Sequence, residues 1–336
     1  MSEKTTHHKP YRSFFWPVIL LGAGVIWLLT NLNIIPSENL WILFRLWPVL
    51  IIMAGLDVLF ARRLPLVGAL LGLLVLAGVV YLLLSGANLG IEAAPEAQSE
   101  TFQVEVGNTE SVAFDLNLSV QPAHVHVLTD STNLLDAQIN HRGEIDFTVS
   151  GAEDKQIRLA QTGFPAWFTW VLPDEEGQAL TWEIGLSPEV PFSLDVDAST
   201  GASRLDLVGV QLERFNFDGS TGASTILLPA SSEGYDVTIE ASTGQLDLIL
   251  PAESNLTLRL DGSTGRITVD APENAAVQVK VLDGGTGDLQ LPERFEKVSG
   301  LEGRDEGIYQ TPDFEGADYQ LIIIIENIST GNILFQ

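Results

Sequence analysis

The chain has 336 residues, no cysteine and a formal net charge of −27 at pH 7. Without cysteine it has no disulfides, thiolate metal sites or cysteine nucleophiles. So large a negative surplus repels phosphate backbones and anionic headgroups, which argues against nucleic acid as a partner.

The charge is unevenly placed. Residues 1–85 carry six Lys/Arg and three Asp/Glu, a surplus of three positive charges. The remaining 11 basic and 41 acidic residues leave thirty negative charges on residues 86–336. A polar tail, residues 1–12, holds Lys4, Lys9 and Arg12, with His7 and His8 beside them. Phe14 to Ile35 then runs for 22 residues without a charge, and Pro65 to Leu84 for 20. Either run is long enough to cross a ~30 Å hydrocarbon core. The intervening 40–60 is as long but contains Arg45 and Asp57 near its ends, where charge costs less than at the bilayer centre. These two lie about 18 Å apart along a helix and cannot pair within it; snorkelling at the ends accounts for them better than transport does.

We read three transmembrane spans (about 14–35, 40–60 and 65–84) within residues 13–85, so the lipid bilayer is the first partner. Trp16, Trp41 and Trp47 sit close to the span ends, as interfacial aromatics do. A signal peptide would lead through a small-residue cleavage site into polar chain. Here the first run leads to Asn31, Asn33 and Pro36 and then to more apolar sequence. Arg62 and Arg63 in the second loop, with the basic tail, place the N-terminus in the cytoplasm and the acidic C-terminal part outside the membrane. A re-entrant middle segment would reverse that parity.

The apolar region repeats internally. Phe15-Trp16-Pro17-Val18-Ile19-Leu20 is echoed by Leu46-Trp47-Pro48-Val49-Leu50-Ile51, each followed by small residues (Gly22-Ala23-Gly24; Ala54-Gly55). Gly68 and Gly72 add a GxxxG spacing that allows close helix packing. The Phe-Trp-Pro-Val start, the glycine step, the Asn-Leu-Asn-Ile-Ile-Pro exit and the second Trp-Pro block resemble the LiaI/LiaF-type transmembrane region over residues 12–84. That resemblance implies a bacterial membrane protein linked to envelope-stress signalling.

Residues 86–100 form an acidic linker with Glu92, Glu96 and Glu100. Beyond it the hydrophobic period becomes two: Phe102, Val104 and Val106, then Phe114, Leu116 and Leu118, then Val125 and Val127. Strict alternation marks strands with one buried face. The clearest signal is a Ser-Thr-Gly repeat with threonines at Thr200, Thr221, Thr243 and Thr264, then Gly-Thr-Gly at Thr286 and Ser-Thr-Gly at Thr330. The steps are 21, 22, 21, 22 and 44 residues. An acid precedes the threonine by three positions at Asp197, Asp218, Glu240, Asp261 and Asp283, and Asn327 takes that place in the last copy.

Each repeat reads as strand, tight glycine turn (Gly201, Gly222, Gly244, Gly265, Gly287), strand, and a second turn at Pro229, Pro251, Pro272 or Pro292. Glycine supplies backbone freedom in such turns, and Asp and Ser side chains bond nearby backbone. Units this short cannot bury an apolar face alone and must stack. The fold class is therefore an α-helical membrane region plus an all-β domain: residues 101–190 are its N-terminal part and 191–336 a β-solenoid. An antiparallel β-sandwich is the alternative. The doubled last step implies a copy missing near residue 308, in the glycine-rich and charged stretch Val298–Gly316. The runs Trp182–Leu186, Val190–Val196, Leu205–Leu207 and Leu227–Pro229 resemble the toast-rack domain of LiaF-like envelope proteins, and are similar to adhesin-like β-repeat domains. The resemblance implies a sensing or scaffolding role with no active site to carry over.

Candidate sites are few. The acid ladder offers hard oxygen ligands for calcium, but turn capping explains it, with the carboxylates in solvent. His124 and His126 share one strand face, with His141 not far in sequence; without a third ligand they read as surface histidines rather than a zinc site. Phe164, Trp167, Phe168 and Trp170 form the densest aromatic cluster outside the apolar runs. They are either a contact patch or a plug for the β core. No hydrolase elbow, phosphate-binding loop, dinucleotide fingerprint or zinc signature is present, so neither an enzyme nor a cofactor is expected. The sequence points to a membrane-anchored, non-catalytic regulator or scaffold whose partner is a membrane sensor protein or an envelope component. The alternative is a surface adhesin or structural spacer.

Overall fold

The computed structural model describes residues 15–32, 34–35, 37–40, 42–43, 46–49, 51–52, 55, 65–85, 97–118, 122–129, 131–162, 180–262, 264–301 and 303–336. They fall into two compact units that divide between residues 96 and 97.

In the first unit, helix α1 (Phe15–Asn31) and helix α2 (Pro65–Ser85) flank a single 3-10 turn at Ser37–Leu40. Neither helix carries a charge. The two pack through Gly22, where a Cβ would come within 2.3 Å of Leu76 Cδ1, so glycine lets Leu76 seat there in its present rotamer. Ile26, Ile35, Leu40, Ile42 and Leu83 form the small core. The buried Asn39 amide donates to the Leu83 carbonyl at 2.7 Å, satisfying a free group at the end of α2. The outer sides remain apolar: Leu20, Leu21, Trp27, Leu28, Leu70 and Leu74 are all more than half exposed. Among the described residues no helix is long and apolar enough to cross a membrane. In α1 that reflects 17 residues; in α2 the described side chains are those of residue 70 and residues 72–85. Arg45 and Asp57 lie outside the described residues.

The second unit is all β. In chain order its strands are β1 (Gln98–Glu105), β2 (Ser111–Leu118), β3 (Ala123–Val127), β4 (Asn133–His141), β5 (Glu144–Ser150), β6 (Asp154–Thr162) and β7 (Trp182–Leu186). The repeats follow as β8 (Phe192–Ala198), β9 (Ala202–Asp206), β10 (Leu212–Gly219), β11 (Ala223–Leu227), β12 (Tyr235–Ala241), β13 (Gln245–Ile249), β14 (Leu256–Gly262) and β15 (Arg266–Asp270). The C-terminal strands are β16 (Val277–Val281), β17 (Asp288–Gln290), β18 (Glu296–Ser299), β19 (Gly307–Gln310), β20 (Leu321–Ile328) and β21 (Asn332–Phe335).

Each repeat gives one strand to each of two open sheets. The strand before the Ser-Thr-Gly turn joins the sheet β18-β19-β16-β20-β14-β12-β10-β8-β2-β6-β5, and the strand after it joins β1-β4-β7-β3-β9-β11-β13-β15-β21-β17. Within the repeats every neighbouring pair is parallel, Phe217 opposite Ile239 and Ile226 opposite Leu248, for example, with irregularities between Leu212 and Arg214 and between Leu260 and Asp261. An antiparallel sandwich would pair consecutive strands instead, so this alternative fails for the repeats; the arrangement fits a β-solenoid. Antiparallel pairing is found towards the ends, where β1 pairs β4, β4 pairs β7, β5 pairs β6 and β19 pairs both β16 and β18. Alternation fills one core between the sheets: Phe215, Val237, Ile239 and Leu258 from one side, Leu205, Ile226, Leu248 and Val269 from the other, all fully buried.

The order of coils departs from the order of the chain at both ends. Strand β20 lies between β14 and β16, and β21 between β15 and β17, so the last coil is inserted inside the one before it. At the other end β2 lies between β8 and β6, and β3 between β9 and β7, so the second coil is outside the first. The expected missing copy near residue 308 is therefore not a gap in the stack. Thr330 sits directly after Thr264 in space, and the stretch from 298 begins inside β18 and contains β19, the pair that edges the sheet.

Candidate functional site

The Ser-Thr-Gly turns stack along one edge of the β unit, and their side chains bond between coils. The hydroxyls of Thr221, Thr243, Thr264 and Thr286 donate to the carbonyls of Ser199, Ser220, Ser242 and Ser329 at 3.0, 2.9, 2.9 and 2.6 Å. Backbone amides follow the same path, Thr221 to Ser199, Thr243 to Ser220 and Thr264 to Ser242. The serine carbonyl in each coil thus receives both an amide and a hydroxyl from the next.

The glycines serve a purpose other than the one their turn position implied. Gly201, Gly222, Gly244, Gly265, Gly287 and Gly331 are not among the positive-φ glycines. A Cβ on Gly222, Gly244, Gly265 or Gly331 would stand 2.0–2.5 Å from the carbonyl oxygen of the glycine in the preceding coil. The column needs glycine for close backbone approach, not for left-handed conformation. Only in the Thr286 copy does a positive φ appear, at Gly285, whose amide donates to the Asp283 carboxylate at 2.9 Å. Local capping by the acid was expected throughout; the bonding runs mainly from threonine to the neighbouring coil. Over this edge lies an open polar groove of about 620 Å³, lined by Thr221, Thr243, Thr264, Gln245, Arg266 and Asn332 among others.

The repeat acids line up on the outer face of the other sheet. Asn117, Asp197, Asp218, Glu240, Asp261 and Asn327 are consecutive register partners, and Asp197, Asp218, Glu240 and Asp261 are all exposed. Parallel strands put such neighbours about 4.8 Å apart, so the carboxylates repel. Amides relieve part of this: Asn117 donates to Asp197 at 3.1 Å and Asn216 to Asp195 at 2.5 Å. Arg158 pairs with Asp115. The Asp197 carboxyl is nevertheless pushed above the usual range, first by partial burial and then by Asp218 and Asp115. Asp115 and Asp195 escaped the sequence reading, although each lies two residues before a ladder member.

The histidines fall out differently. His141 is buried at the end of β4, with Nε2 3.6 Å from Glu100 Oε1. His124 and His126 do share the outer face of β3, and the parallel register of β3 with β7 sets Glu183 opposite His124 and Gly185 opposite His126. The aromatic cluster Phe164, Trp167, Phe168 and Trp170 lies outside the described residues.

Against known proteins, residues 93–249 match the N-terminal domain of toast_rack, DUF2154, and residues 14–59 match the LiaI-LiaF-like transmembrane region. The resemblance read from the sequence stands on both counts, and the second match makes the chain membrane-associated in kind. No curated protein matches the chain. A solved structure of a candidate cell adhesion protein from Clostridium sporogenes ATCC 15579 is similar over 71% of this chain and 99% of its own, at 18% identity and a TM-score of 0.48.

Proposed function

We propose that this protein is a membrane-anchored component of the bacterial cell envelope, a non-catalytic regulator or scaffold in envelope-stress signalling whose β unit works outside the lipid. The observation that carries the reading is the joint occurrence, on one chain, of the LiaI-LiaF-like region at 14–59 and the toast_rack domain at 93–249. The helical unit supports it physically. An aqueous helix pair buries one face and keeps the other polar, whereas α1 and α2 leave leucines, valines and tryptophans exposed, including Trp16 and Trp27. Lipid is the solvent that such a surface fits. The backbone of α2, at 21 residues, measures about 31 Å at 1.5 Å per residue, the thickness of the hydrocarbon layer.

In this reading three spans hold the N-terminus in the cytoplasm, and the helices contact a membrane sensor protein. Protease added to intact cells should digest residues 97–336 and leave the N-terminal tail protected. Digestion that requires lysis would place the β unit inside and remove the proposal. Deletion of the gene should alter the transcriptional response to wall-active or membrane-active agents; an unchanged response would leave anchoring without regulation. A second reading, adhesin or spacer, draws on the open polar groove along the threonine edge. It requires an envelope ligand to bind the chain, with Arg266→Ala or Gln245→Ala weakening that binding.

A further inference from the structure

We infer that His124, His126 and Glu183 form a divalent transition-metal site, best suited to Zn²⁺, that clamps the first two coils together. Parallel register brings the three together: β3 carries two imidazoles on one face, and β7 presents a carboxylate beside them although Glu183 is 59 residues from His124. One ligand atom from each residue lies within 4.8 Å of the other two. His124 Nδ1 is already 3.1 Å from Glu183 Oε2, close to the roughly 3.3 Å separating ligands around a tetrahedral ion with 2.0–2.1 Å bonds. The two imidazole rings are 5.7 Å apart and tilted by 44°, so small rotamer changes bring both nitrogens to one ion.

A further observation sets this cluster apart from surface histidines. His126 Nδ1 is buried and has no hydrogen-bond partner among the described residues, and an unpaired buried nitrogen is costly unless something binds it. Gly185 stands opposite His126; a Cβ there would meet Leu128 Cδ2 at 2.2 Å and only touch His126 Nε2 at 3.4 Å, so the glycine makes room for Leu128 beside the imidazole. Arg204, the register partner of His124 on β9, is the adverse charge nearby, and Asp206 engages it at 3.6 Å. Two neutral imidazoles and one carboxylate match zinc and its neighbours in the first transition series better than calcium, which takes six to eight oxygens. Three protein ligands leave one coordination position for water or for a ligand from outside.

The consequence is mechanical. The coil of β6 and β7 lies outside that of β2 and β3, reversing chain order, and the metal joins them at β3 and β7. The test uses the full chain in detergent with His7→Ala and His8→Ala already installed, which removes two competing imidazoles from the tail. Zinc chloride is titrated calorimetrically in excess Mg²⁺, a competitor for exposed carboxylates, and Co²⁺ is substituted for its ligand-field spectrum. One Zn²⁺ per chain should bind, Co²⁺ should give a tetrahedral-type spectrum, and His124→Ala, His126→Ala and Glu183→Gln should each lower affinity at least tenfold. Zinc should raise the melting temperature of the parent and leave that of His124→Ala unmoved. Binding of equal strength in His124→Ala and Glu183→Gln, or binding that Mg²⁺ abolishes, would overturn the assignment. If His126→Ala fails to fold, as judged by circular dichroism, the half-exposed His124 and Glu183 decide the matter.

Discussion

The middle coils and the C-terminal coils of the β unit are made of the same repeat, yet they are assembled by different rules. From β8 to β15 each coil stacks on the one just before it, and every bond in the threonine ladder spans 22 or 23 residues. At the C-terminal end, Thr286 reaches instead to Ser329, 43 residues on, because the final coil is inserted between its two predecessors. Contact order is local in the middle and non-local at both ends. A solenoid that grows by local contacts leaves its last coil free to fray; one whose last coil is locked inside the previous one does not. The insertion closes the repeat stack with a segment that enters after its outer neighbour in the chain.

Truncation after Gln320 is the strongest way to break that comparison. It removes β20 and β21, including the fully buried Ile323 and Ile325, and β17 loses the strand on which it pairs. Each buried aliphatic is worth about 1.5–3 kcal/mol, so a few of them rival the ~5–15 kcal/mol that holds a domain together. Hydrogen exchange should then show residues 277–290 unprotected as well as the deleted coil's neighbours β14 and β15. Retained protection of 277–290 would mean that the coil of β16 and β17 docks without that of β20 and β21, and the insertion would lose its meaning.

Next in size is a pair of glycine substitutions that sharpens it. Gly244→Ala in the middle and Gly331→Ala in the inserted coil each drive a methyl against a backbone carbonyl, of Gly222 and Gly265 respectively. Backbone cannot step aside as a side chain can, so each should cost upwards of about 3 kcal/mol by chemical denaturation. Equal losses would show that Gly331 is stacked as tightly on its spatial neighbour as Gly244 is on its sequence neighbour. Gly24→Ala, where a Cβ meets nothing within 4 Å, should be near neutral and serves as control. Removing single hydroxyls is milder. Thr243→Val and Thr286→Val each delete one ladder bond and should cost about 1 kcal/mol. A much smaller loss for Thr286 would mark the end coil as looser than the middle.

These results also show where the sequence was informative and where it was not. Alternation at Val237, Ile239, Leu246 and Leu248 identified strands and their buried faces, because burial of one face is a property of each strand alone. The 21–22-residue step implied stacking for the same reason. The doubled step before Thr330 implied an omitted copy, since spacing carries no information about which coil lies beside which. Turn position alone assigns the repeat glycines to backbone conformation, whereas their real constraint, a carbonyl in the neighbouring coil, exists only after stacking. His124 and His126 were placed correctly on one face; Glu183 was invisible because the β3–β7 register depends on the exchange of coils at the N-terminal end. Arg45, Asp57 and the cluster from Phe164 to Trp170 lie outside the described residues.

The smallest effect probes the seam between the two kinds of coil. Asp197 on β8 faces Asn117 of the exchanged coil on one side and Asp218 of the regular stack on the other. Its raised pKa, from partial burial and then from Asp218 and Asp115, means that its charge disfavours the folded state. That penalty is complete above the folded pKa and disappears as pH falls below the unfolded carboxylate value near 3.9. Asp197→Asn should therefore raise the melting temperature slightly at pH 7, and the gain over wild type should shrink to nothing as acid protonates Asp197 in both states. The exposed setting keeps the effect small. Asp261→Asn, made farther along the same row where Asn327 already borders the carboxylate, provides the comparison. A larger gain at Asp197 than at Asp261 would locate the electrostatic strain at the seam. Equal gains would spread it along the ladder and show that the exchanged coil meets the regular stack no less comfortably than the regular coils meet one another.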